Sequence, residues 1–210
     1  MEAPKLRCLQ AGDEPALYDI CLATGDAGND AAALYRDGRL LGEVFAGPYA
    51  ALEPQACFVL VYAQGICGYL VGTADSEAFA ERCERDWYPE LRRRFPLPDP
   101  TDASRDAPIV RLIHEGCRPD RELAPYPAHL HVNLLPRAQN RGLGRMLLGG
   151  FLDHLRARGV RGVHLETGPN NPRVCRFYER IGFTVFRRAG RGITYVMRLE
   201  PPPRETPFLG

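Results

Sequence analysis

The chain has 210 residues, 45% of them hydrophobic and 25% charged, which is ordinary usage for a globular domain with a full core. Its 27 Lys and Arg side chains balance 26 Asp and Glu side chains, so no global positive charge favours nucleic acid or a membrane surface as a partner. The sequence has no apolar run of about 18 residues, no signal-peptide pattern and no C-x-x-C pair among its seven cysteines, which predicts a cytoplasmic protein with reduced thiols.

The first half of the chain alternates strand and helix patterns. Short apolar runs predict strands at 6–9, 56–62 and 66–72. Apolar residues at helical spacing predict helices at 13–23, 32–45 and 76–95. The second and third strands flank Ala63-Gln64-Gly65, a separation typical of a hairpin.

Between positions 96 and 127 the chain is rich in proline, aspartate and arginine and has only a weak apolar run at 109–113. This composition predicts an irregular insertion. A loop of this length inside a compact domain is usually functional or disordered. Two alternatives stay open at this point: the insertion covers an acceptor site, with Trp87, Tyr88 and Tyr126 near its ends, or it is a solvated loop.

The second half has a regular alternation of strands and helices. Strands are predicted at 130–135 and 163–166, helices at 143–159 and 172–181, and a final hairpin at 183–187 and 193–198. The pattern predicts a single mixed α/β (α+β) domain over 1–200, interrupted by the insertion at 96–127. Three prolines begin a tail over 201–210 that has no helix or strand pattern.

A glycine-containing loop lies between the strand at 130–135 and the following helix. It has the sequence Gln139-Asn140-Arg141-Gly142-Leu143-Gly144. The unpaired N–H groups and the positive dipole end of a helix N-terminus attract an anion, and glycines let it approach the backbone closely. Arg137, Arg141 and Arg145 add positive charge beside the loop. The loop therefore predicts a phosphate site, although a G-x-G alone is also compatible with a simple tight turn.

A second element further along the chain gives the loop its context. Asn171, Tyr178, Gly182 and Phe183 match the pattern N-x-x-A-x-x-x-Y-x-x-x-G-F, with Val174 in place of the small residue. Together the two elements resemble the GNAT acetyltransferase superfamily. The resemblance implies a GNAT fold, with a central mixed and mostly antiparallel sheet of about six to seven strands flanked by helices. It also implies that the loop holds the pyrophosphate of acetyl-CoA.

The resemblance further implies cofactor contacts on the strand, the loop and the next helix. The backbone of Leu134 and Leu135 is expected to meet the pantetheine and the acetyl group. The implied cofactor residues are Leu134, Leu135, Gln139, Asn140, Arg141, Gly142, Leu143, Gly144, Arg145, Asn171 and Tyr178. Asn171 also has a simpler role as the N-cap of the helix that starts at Pro172. No metal site is predicted, because the histidines and cysteines have no ligand spacing.

The N-terminal half narrows the resemblance. Segments 47–52, 57–60 and 65–73 look like the acetyltransferase-like C-terminal domain of animal O-GlcNAcase, which has free-standing bacterial homologues. In the animal domain the cofactor loop is degenerate, whereas it is complete here. The resemblance implies an acetyl-CoA-dependent N-acetyltransferase that moves an acetyl group directly to a primary amine of a small molecule or a protein. A catalytically inactive acetyl-CoA-binding or protein-interaction module is the alternative.

Two residues are candidates for the proton transfers of this reaction. Tyr178 matches the position that commonly protonates the leaving thiolate in the superfamily. A phenol pKa of roughly 10 lies near enough to a thiol pKa of about 8.5 for the phenol to donate its proton to the thiolate. Its simpler role is that of a core aromatic residue. Glu166 lies on the strand before Asn171, where ribosomal-protein acetyltransferases carry a glutamate base, although strand glutamates are commonly solvated. His129 and His131 are expected to be ordinary strand histidines.

Overall fold

A seven-stranded sheet forms the centre of the molecule. The computed structural model describes residues 3–62, 64–168, 172–190 and 192–200. The sheet contains β1 (Lys5–Cys8), β2 (Phe58–Tyr62), β3 (Gly65–Thr73), β4 (Ala128–Leu134), β5 (Gly162–Thr167), β6 (Thr184–Ala189) and β7 (Gly192–Arg198). The spatial order is β1-β2-β3-β4-β5-β7-β6, and all neighbouring pairs are antiparallel except β4 and β5, which are parallel. This confirms the mixed, mostly antiparallel sheet expected from the sequence.

Eight α-helices flank the sheet in the described ranges. They are α1 (Glu14–Ala23), α2 (Leu40–Phe45), α3 (Gly47–Leu52), α4 (Ser76–Asp86), α5 (Tyr88–Arg94), α6 (Asp106–Glu115), α7 (Leu143–Ala157) and α8 (Pro172–Ile181). The first and the last two lie where the sequence predicts them. Among the helices of this part of the chain, none has both the length and the apolar character needed to cross a membrane.

The sheet separates two hydrophobic cores. On one face α7 packs across β1 to β4, and fully buried residues there include Leu147 and Phe151. The opposite face is covered by the helices α1 to α6, and its core includes Leu17 and Ile113. Because successive side chains of a strand alternate between faces, neighbouring residues of β4 and β5 belong to different layers. This alternation decides which side chains meet at the candidate site.

The predicted helix at 32–45 is wrong in its first half. Only Leu40–Phe45 is helical, and the residues before it form turns and bends. Two backbone amides of this segment donate to carboxylates instead of to helical carbonyls. The Arg39 amide donates to Asp37 Oδ1 at 2.8 Å, and the Arg36 amide donates to Asp106 at 3.3 Å. The helix α3 follows directly, where the sequence predicts none.

The predicted helix at 76–95 is broken at Trp87. The helix α4 ends one residue before it and α5 begins one residue after it. Pro89 is the cause, because a proline inside a continuous helix lacks an N–H and clashes with the preceding turn, whereas it is tolerated in a first turn. The Trp87 indole N–H donates to the Glu43 carbonyl at 2.9 Å and fixes the break against α2.

The predicted irregular insertion at 96–127 contains a regular helix, so this part of the prediction is wrong. The helix α6 buries Ala107, Val110 and Ile113 at helical spacing. Pro108 hides the pattern in the sequence, but it lies in the first turn, where a backbone N–H has no intrahelical partner. The acceptor-covering role of the segment stays a prediction, as do the domain limits, and the tail over 201–210 lies outside the described residues.

A buried carboxylate ties three helices of the second core together. Glu43 of α2 accepts from the Tyr18 hydroxyl of α1 at 2.9 Å and from the Arg94 guanidinium of α5 at 2.8 Å. The Glu43 side chain is only 4% exposed, and Arg39 lies 3.6 Å from it. Burial and the neighbouring Glu43 raise the pKa of Tyr18 far above its usual value, so its hydroxyl always keeps the donated proton.

We expect Glu43→Ala to lower the free energy of unfolding by about 2–4 kcal/mol, since it leaves the buried Tyr18 hydroxyl without an acceptor and removes packed atoms. Arg93→Ala is the matched control, because Arg93 pairs with Glu90 at the exposed surface and should cost less than about 0.5 kcal/mol. Urea unfolding measures both variants. Equal losses would show that the buried network contributes nothing of its own.

Candidate functional site

The strands β4 and β5 separate soon after they begin. Their parallel pairing is limited to Ala128 with Val163 and His129 with His164, although β4 continues to Leu134. A split therefore opens between positions 130–134 of β4 and 165–167 of β5. Its narrow end lies at His129 and His164, and its wide end lies at the end of β4, where the glycine-containing loop begins.

One backbone edge of β4 faces this split. The Leu135 amide donates to the Cys67 carbonyl of β3 at 2.9 Å, so the backbone groups of Leu135 and of every second residue before it point toward β3. Because this orientation alternates along an antiparallel pair, the backbone groups of Val132 and Leu134 point toward the split. The Leu135 carbonyl accepts from the Ala138 amide at 2.8 Å, so both of its backbone groups are used. Of the two strand residues predicted to meet a cofactor, only Leu134 presents its backbone to the split.

The loop after β4 shapes the N-terminus of α7. Gly142 is the N-cap residue in the left-handed region, with φ 76°, and Asn140 also has a positive φ of 63°. The Gly142 carbonyl accepts from the Arg145 and Met146 amides, so it is the first acceptor of the helix. The amides of Leu143 and Gly144, which come before Arg145, therefore have no partner within the helix. A Cβ atom at Gly142 would meet nothing within 4 Å. Open space therefore lies directly before the helix N-terminus.

A second glycine allows close packing behind this space. A Cβ atom at Gly144 would lie 3.2 Å from both Leu134 Cδ1 and Phe177 Cζ, so only glycine fits without moving these side chains. The Gln139 side-chain amide donates to the Leu134 carbonyl at 2.9 Å and holds the loop against β4. Strand, loop and the helix α8 are thus in direct contact at the wide end of the split.

Positive charge surrounds the open space. Arg137, Arg141 and Arg145 are exposed, and the first two line a cavity of about 230 Å³ together with Leu143 and Tyr62. Arg173 of α8 donates to the Asn140 side-chain oxygen and links the loop to the first turn of α8. Sequence reasoning missed Arg173, because only the folded chain brings the start of α8 beside the loop. The N-terminus of α7 and the first turn of α8 therefore meet at this loop, where both favour negative charge.

Tyr178 is a buried residue of α8, 6% exposed. Its ring lies 5.3 Å from Phe177, 5.7 Å from Phe183 and 5.9 Å from Tyr195, centroid to centroid. Burial, with a smaller effect of Cys175, raises the pKa of Tyr178 far above its usual value. The close match to a thiol pKa assumed from the sequence is therefore absent in the free protein, and the hydroxyl is a permanently protonated donor. Asn171, the other residue of this element, lies outside the described residues.

Three histidines share the sheet face that α1 to α6 cover, and we call it the histidine face. His129 and His131 of β4 and His164 of β5 belong to it, with ring centroids of His129 and His164 5.6 Å apart. Glu166 lies two residues further along β5 on the same face and is exposed, with its carboxylate against the backbone of Gly192. Within the described ranges, no group of three or more His, Cys, Asp or Glu side chains is placed to hold a metal ion.

His129 has a structural role that fixes its tautomer. The Ser76 hydroxyl donates to the Pro127 carbonyl at 2.6 Å, so at the 2.6 Å contact between Ser76 and His129 the imidazole Nδ1 must be the donor. His129 Nε2 then accepts from the Tyr49 hydroxyl at 2.7 Å. Burial, aided by His131 and His164, holds the pKa of His129 well below its usual value. Both ring nitrogens are engaged, which agrees with the predicted role of an ordinary strand histidine.

His131 and His164 differ in how their rings are held. The His131 ring is surrounded by aromatic rings, with Tyr49 at 5.5 Å and Phe45 at 5.7 Å, and burial lowers its pKa to about 4. His164 Nδ1 lies 2.7 Å from the Tyr126 carbonyl, an acceptor, so Nδ1 carries the proton. No local sequence pattern indicates this contact, because it joins positions 38 residues apart.

We expect Tyr49→Phe to lower the free energy of unfolding by about 1–3 kcal/mol, because His129 Nε2 would lose its donor inside the core. Tyr69→Phe is the matched control: Tyr69 is equally buried, and its hydroxyl has no hydrogen-bond partner within the described ranges, with only the weakly polar Cys21 thiol beside it. Chemical denaturation of both variants measures the difference. A loss in Tyr69→Phe as large as in Tyr49→Phe would contradict the role of the Tyr49 hydroxyl.

Comparison with known proteins identifies relatives of this chain. The model of the acetyltransferase (GNAT) family matches residues 32–183. The chain is 28% identical to protein O-GlcNAcase of Rattus norvegicus over 173 residues, covering 81% of this chain and 19% of that protein. It is 32% identical to mycothiol acetyltransferase of Frankia alni over 206 residues, covering 84% of this chain and 60% of that protein. The chain therefore spans less than two thirds of the length of these curated relatives.

Solved structures share the fold. The crystal structure of SsHAT is 38% identical, with a TM-score of 0.88 over 95% of this chain and 100% of that chain. The structure of yncA from Salmonella typhimurium, which was solved with its cofactor acetyl-CoA, is 17% identical with a TM-score of 0.56 over 95% of both chains, a likeness of fold alone. The family match begins before α2 and extends through the split, the loop and α8. By this match and the shared fold, the chain belongs to the GNAT acetyltransferase family.

Proposed function

We propose that this chain binds acetyl-CoA and transfers its acetyl group directly to a primary amine. The observation that carries the proposal is the open space before the N-terminus of α7, where a Cβ atom at Gly142 would meet nothing. A pyrophosphate fits there, because free backbone amides, the helix dipole and the side chains of Arg141 and Arg145 all favour negative charge. The fit supports acetyl-CoA as the cofactor, as does membership of the family.

The split next to this space is suited to the pantetheine arm. The Val132 backbone groups and the Leu134 amide point into it and have no strand partner there, so the amides of pantetheine can pair with them. The Leu134 carbonyl already accepts from the Gln139 side chain. From Leu134 to His129 the strand rises about 17 Å at roughly 3.3 Å per residue, which an extended arm can follow. With the pyrophosphate at the wide end, the acyl group is directed toward the narrow end of the split.

The chemistry needs a good leaving group and a place for each proton. Acetyl-CoA, when bound, supplies an activated acetyl thioester. Tyr178 on α8 is protonated in the free protein, because burial raises its pKa, and we assign it the role of donor toward the leaving sulfur. The raised pKa opposes loss of that proton, so the phenol must regain one from the acceptor nitrogen as the sulfur takes it. Glu166, the base predicted from the sequence, lies on the histidine face beside the split, and its role stays a prediction.

The acceptor is proposed as a primary amine of a small molecule or a protein. The relatives carry the names mycothiol acetyltransferase and protein O-GlcNAcase, and neither name fixes the acceptor of this chain. A lysine-containing peptide, glucosamine and S-methylcysteine sample three classes of amine without adding a free thiol. All seven cysteines of the chain are free, which supports the proposed cytoplasmic location, where acetyl-CoA is available.

Thiol release from acetyl-CoA in the presence of each amine tests the proposal. We expect at least one amine to raise release above the rate seen with acetyl-CoA alone. A thermal shift with acetyl-CoA measures binding separately, since a ligand at about 100 times its Kd stabilises the native state by roughly 2.7 kcal/mol. Binding without release from any amine would favour the alternative, an acetyl-CoA-binding module without transfer. Absence of both would reject the two functions together.

Gly142→Glu should abolish the acetyl-CoA thermal shift, because the new side chain fills the space before α7 and places negative charge against the pyrophosphate. Gly149→Glu is the matched control: Gly149 lies on the same helix, and a Cβ atom there also meets nothing within 4 Å, but it is away from the N-terminus. This control should keep the full shift. Gly142→Ala, which introduces the backbone strain without charge, should lie between them. A normal shift in Gly142→Glu would place the cofactor elsewhere.

Tyr178→Phe should lower kcat by at least about 10²-fold and leave acetyl-CoA affinity nearly unchanged, because it removes a proton donor and keeps the ring. Tyr195→Phe is the matched control, since this neighbouring phenol donates to Glu179 at 3.2 Å instead. Its kcat should stay within about threefold of the wild type. Steady-state thiol release measures both variants. Equal kcat values for Tyr178→Phe and the wild type would remove Tyr178 from the reaction.

A further inference from the structure

We propose that His164 is the general base, which takes the proton of the acceptor amine, and that the acceptor reaches it from the narrow end of the split. This inference rests on the proposed acetyl transfer. No role for His164 follows from the sequence, where it is one histidine on a short strand. Its position, its tautomer and the cavity beside it carry the assignment.

The tautomer of His164 leaves a basic nitrogen free. Nδ1 donates its proton to the Tyr126 carbonyl at 2.7 Å, so the neutral ring carries its lone pair on Nε2. Within the described ranges, Nε2 has no hydrogen-bond partner. A backbone carbonyl on Nδ1 both orients the ring and fixes the tautomer, which is the arrangement that general-base histidines need.

The cavity beside His164 opens away from the cofactor loop. It has a volume of about 140 Å³, and Tyr126, Pro127 and Arg161, which precede β4 and β5, line it with His164. These residues lie at the narrow end of the split, whereas the loop at Gly142 lies at the wide end. An amine entering here and an acetyl group arriving along the split therefore approach His164 from opposite ends.

The charge of the cavity suits an ammonium group. Asp75, Glu77 and Asp120 line it, against one guanidinium of Arg161. Asp75 also caps α4, and Asp120 is also paired with Arg187 of β6, so the carboxylates are held in place by other contacts. With Arg161 and Arg187 set against the three carboxylates, one negative charge remains, which favours a cationic acceptor over an anionic one.

The other candidates on the histidine face are less suited to this role. His129 is engaged at both nitrogens by Ser76 and Tyr49 and has no free lone pair. The pKa of His131, lowered to about 4 by burial, makes it a weak base, and no hydrogen bond orients its ring within the described ranges. Glu166 lies further toward the wide end and is exposed. His164 alone combines an oriented lone pair with access to the cavity.

The groups around His164 determine its pH dependence. His129 and His131 face it from β4, Glu166 from β5, and Asp120, Asp75, Glu77 and Arg161 from the cavity walls. Burial is the largest effect and lowers the pKa of His164 below 6.5, while the Tyr126 carbonyl and the carboxylates of Asp120 and Glu166 act in the opposite direction. The neutral ring is the active base, so it is available above that pKa and is lost as the pH falls through it.

The proton balance of the reaction is complete with these groups. An ammonium acceptor gives one proton to His164 Nε2, and the nitrogen lone pair forms the N–C bond to the acetyl carbon as the C–S bond breaks. The sulfur receives the Tyr178 proton, and the second nitrogen proton restores the phenol. His164 then releases its proton to solvent through the cavity.

The test is the pH profile of kcat, measured by thiol release with the amine among the three probes that gives the fastest turnover. His164→Asn is the informative variant, because the Asn amide can still donate to the Tyr126 carbonyl but has no basic nitrogen. We expect the wild type to lose activity on the acid side, below pH 6.5. His164→Asn should lower kcat by at least about 10²-fold and remove this acid limb. His164→Gln should show the same loss of kcat and of the acid limb. The acetyl-CoA thermal shift should be unchanged in both variants.

Glu166→Gln and His131→Asn are the comparison variants, and both should keep the acid limb. A His164→Asn enzyme that retains the wild-type rate or the acid limb would overturn the assignment, as would loss of the limb in Glu166→Gln or His131→Asn instead. These outcomes leave the proposed transfer intact, because the wild type turns over. Wild-type protein that binds acetyl-CoA but releases no thiol with any probe would instead overturn the transfer, and the base with it.

Discussion

The site depends on one feature of the sheet, the separation of β4 and β5 after two paired residues. A sheet normally satisfies the backbone groups of its inner strands with a neighbouring strand, and each buried group without a partner costs about 1–3 kcal/mol. Here the edge of β4 at Val132 and Leu134 has no such neighbour. A ligand that carries amides and lies extended in the split can take the place of the missing strand. The unpaired edge therefore both opens the site and selects the kind of molecule that fills it.

The two ends of the split are held by different interactions. At the narrow end, His129 bridges Tyr49 of α3 and Ser76 of α4, so the helices of the histidine face are fixed to β4 through a buried neutral ring. At the wide end, the bond between Arg173 and Asn140 joins α8 to the loop before α7. Contacts that are already made before a ligand binds lower the cost of ordering the site.

Much of this arrangement could be predicted from the sequence, because the signals are local. The loop from Gln139 to Gly144 depends on a strand, two glycines and a helix that are adjacent in the chain. The helix α6 was harder to predict, since Pro108 looks like a breaker although it lies in a first turn. The interruption at Trp87 does have a local signal in Pro89, but the helical apolar spacing over 76–95 conceals it. The contacts of Arg173 with Asn140 and of His164 with Tyr126 depend on chain segments that meet only in the fold. No local pattern indicates them.

Burial also decides which proton movements the site allows. The pKa values of Tyr178, His129 and His131 all shift in the direction that keeps these groups neutral near pH 7, since a charge in the interior loses its hydration. A proton that leaves an amine therefore needs an exit where carboxylates support a positive ring. The narrow end meets this requirement: Asp120 and Glu166 oppose the effect of burial on the pKa of His164, and the cavity beside it leads to solvent.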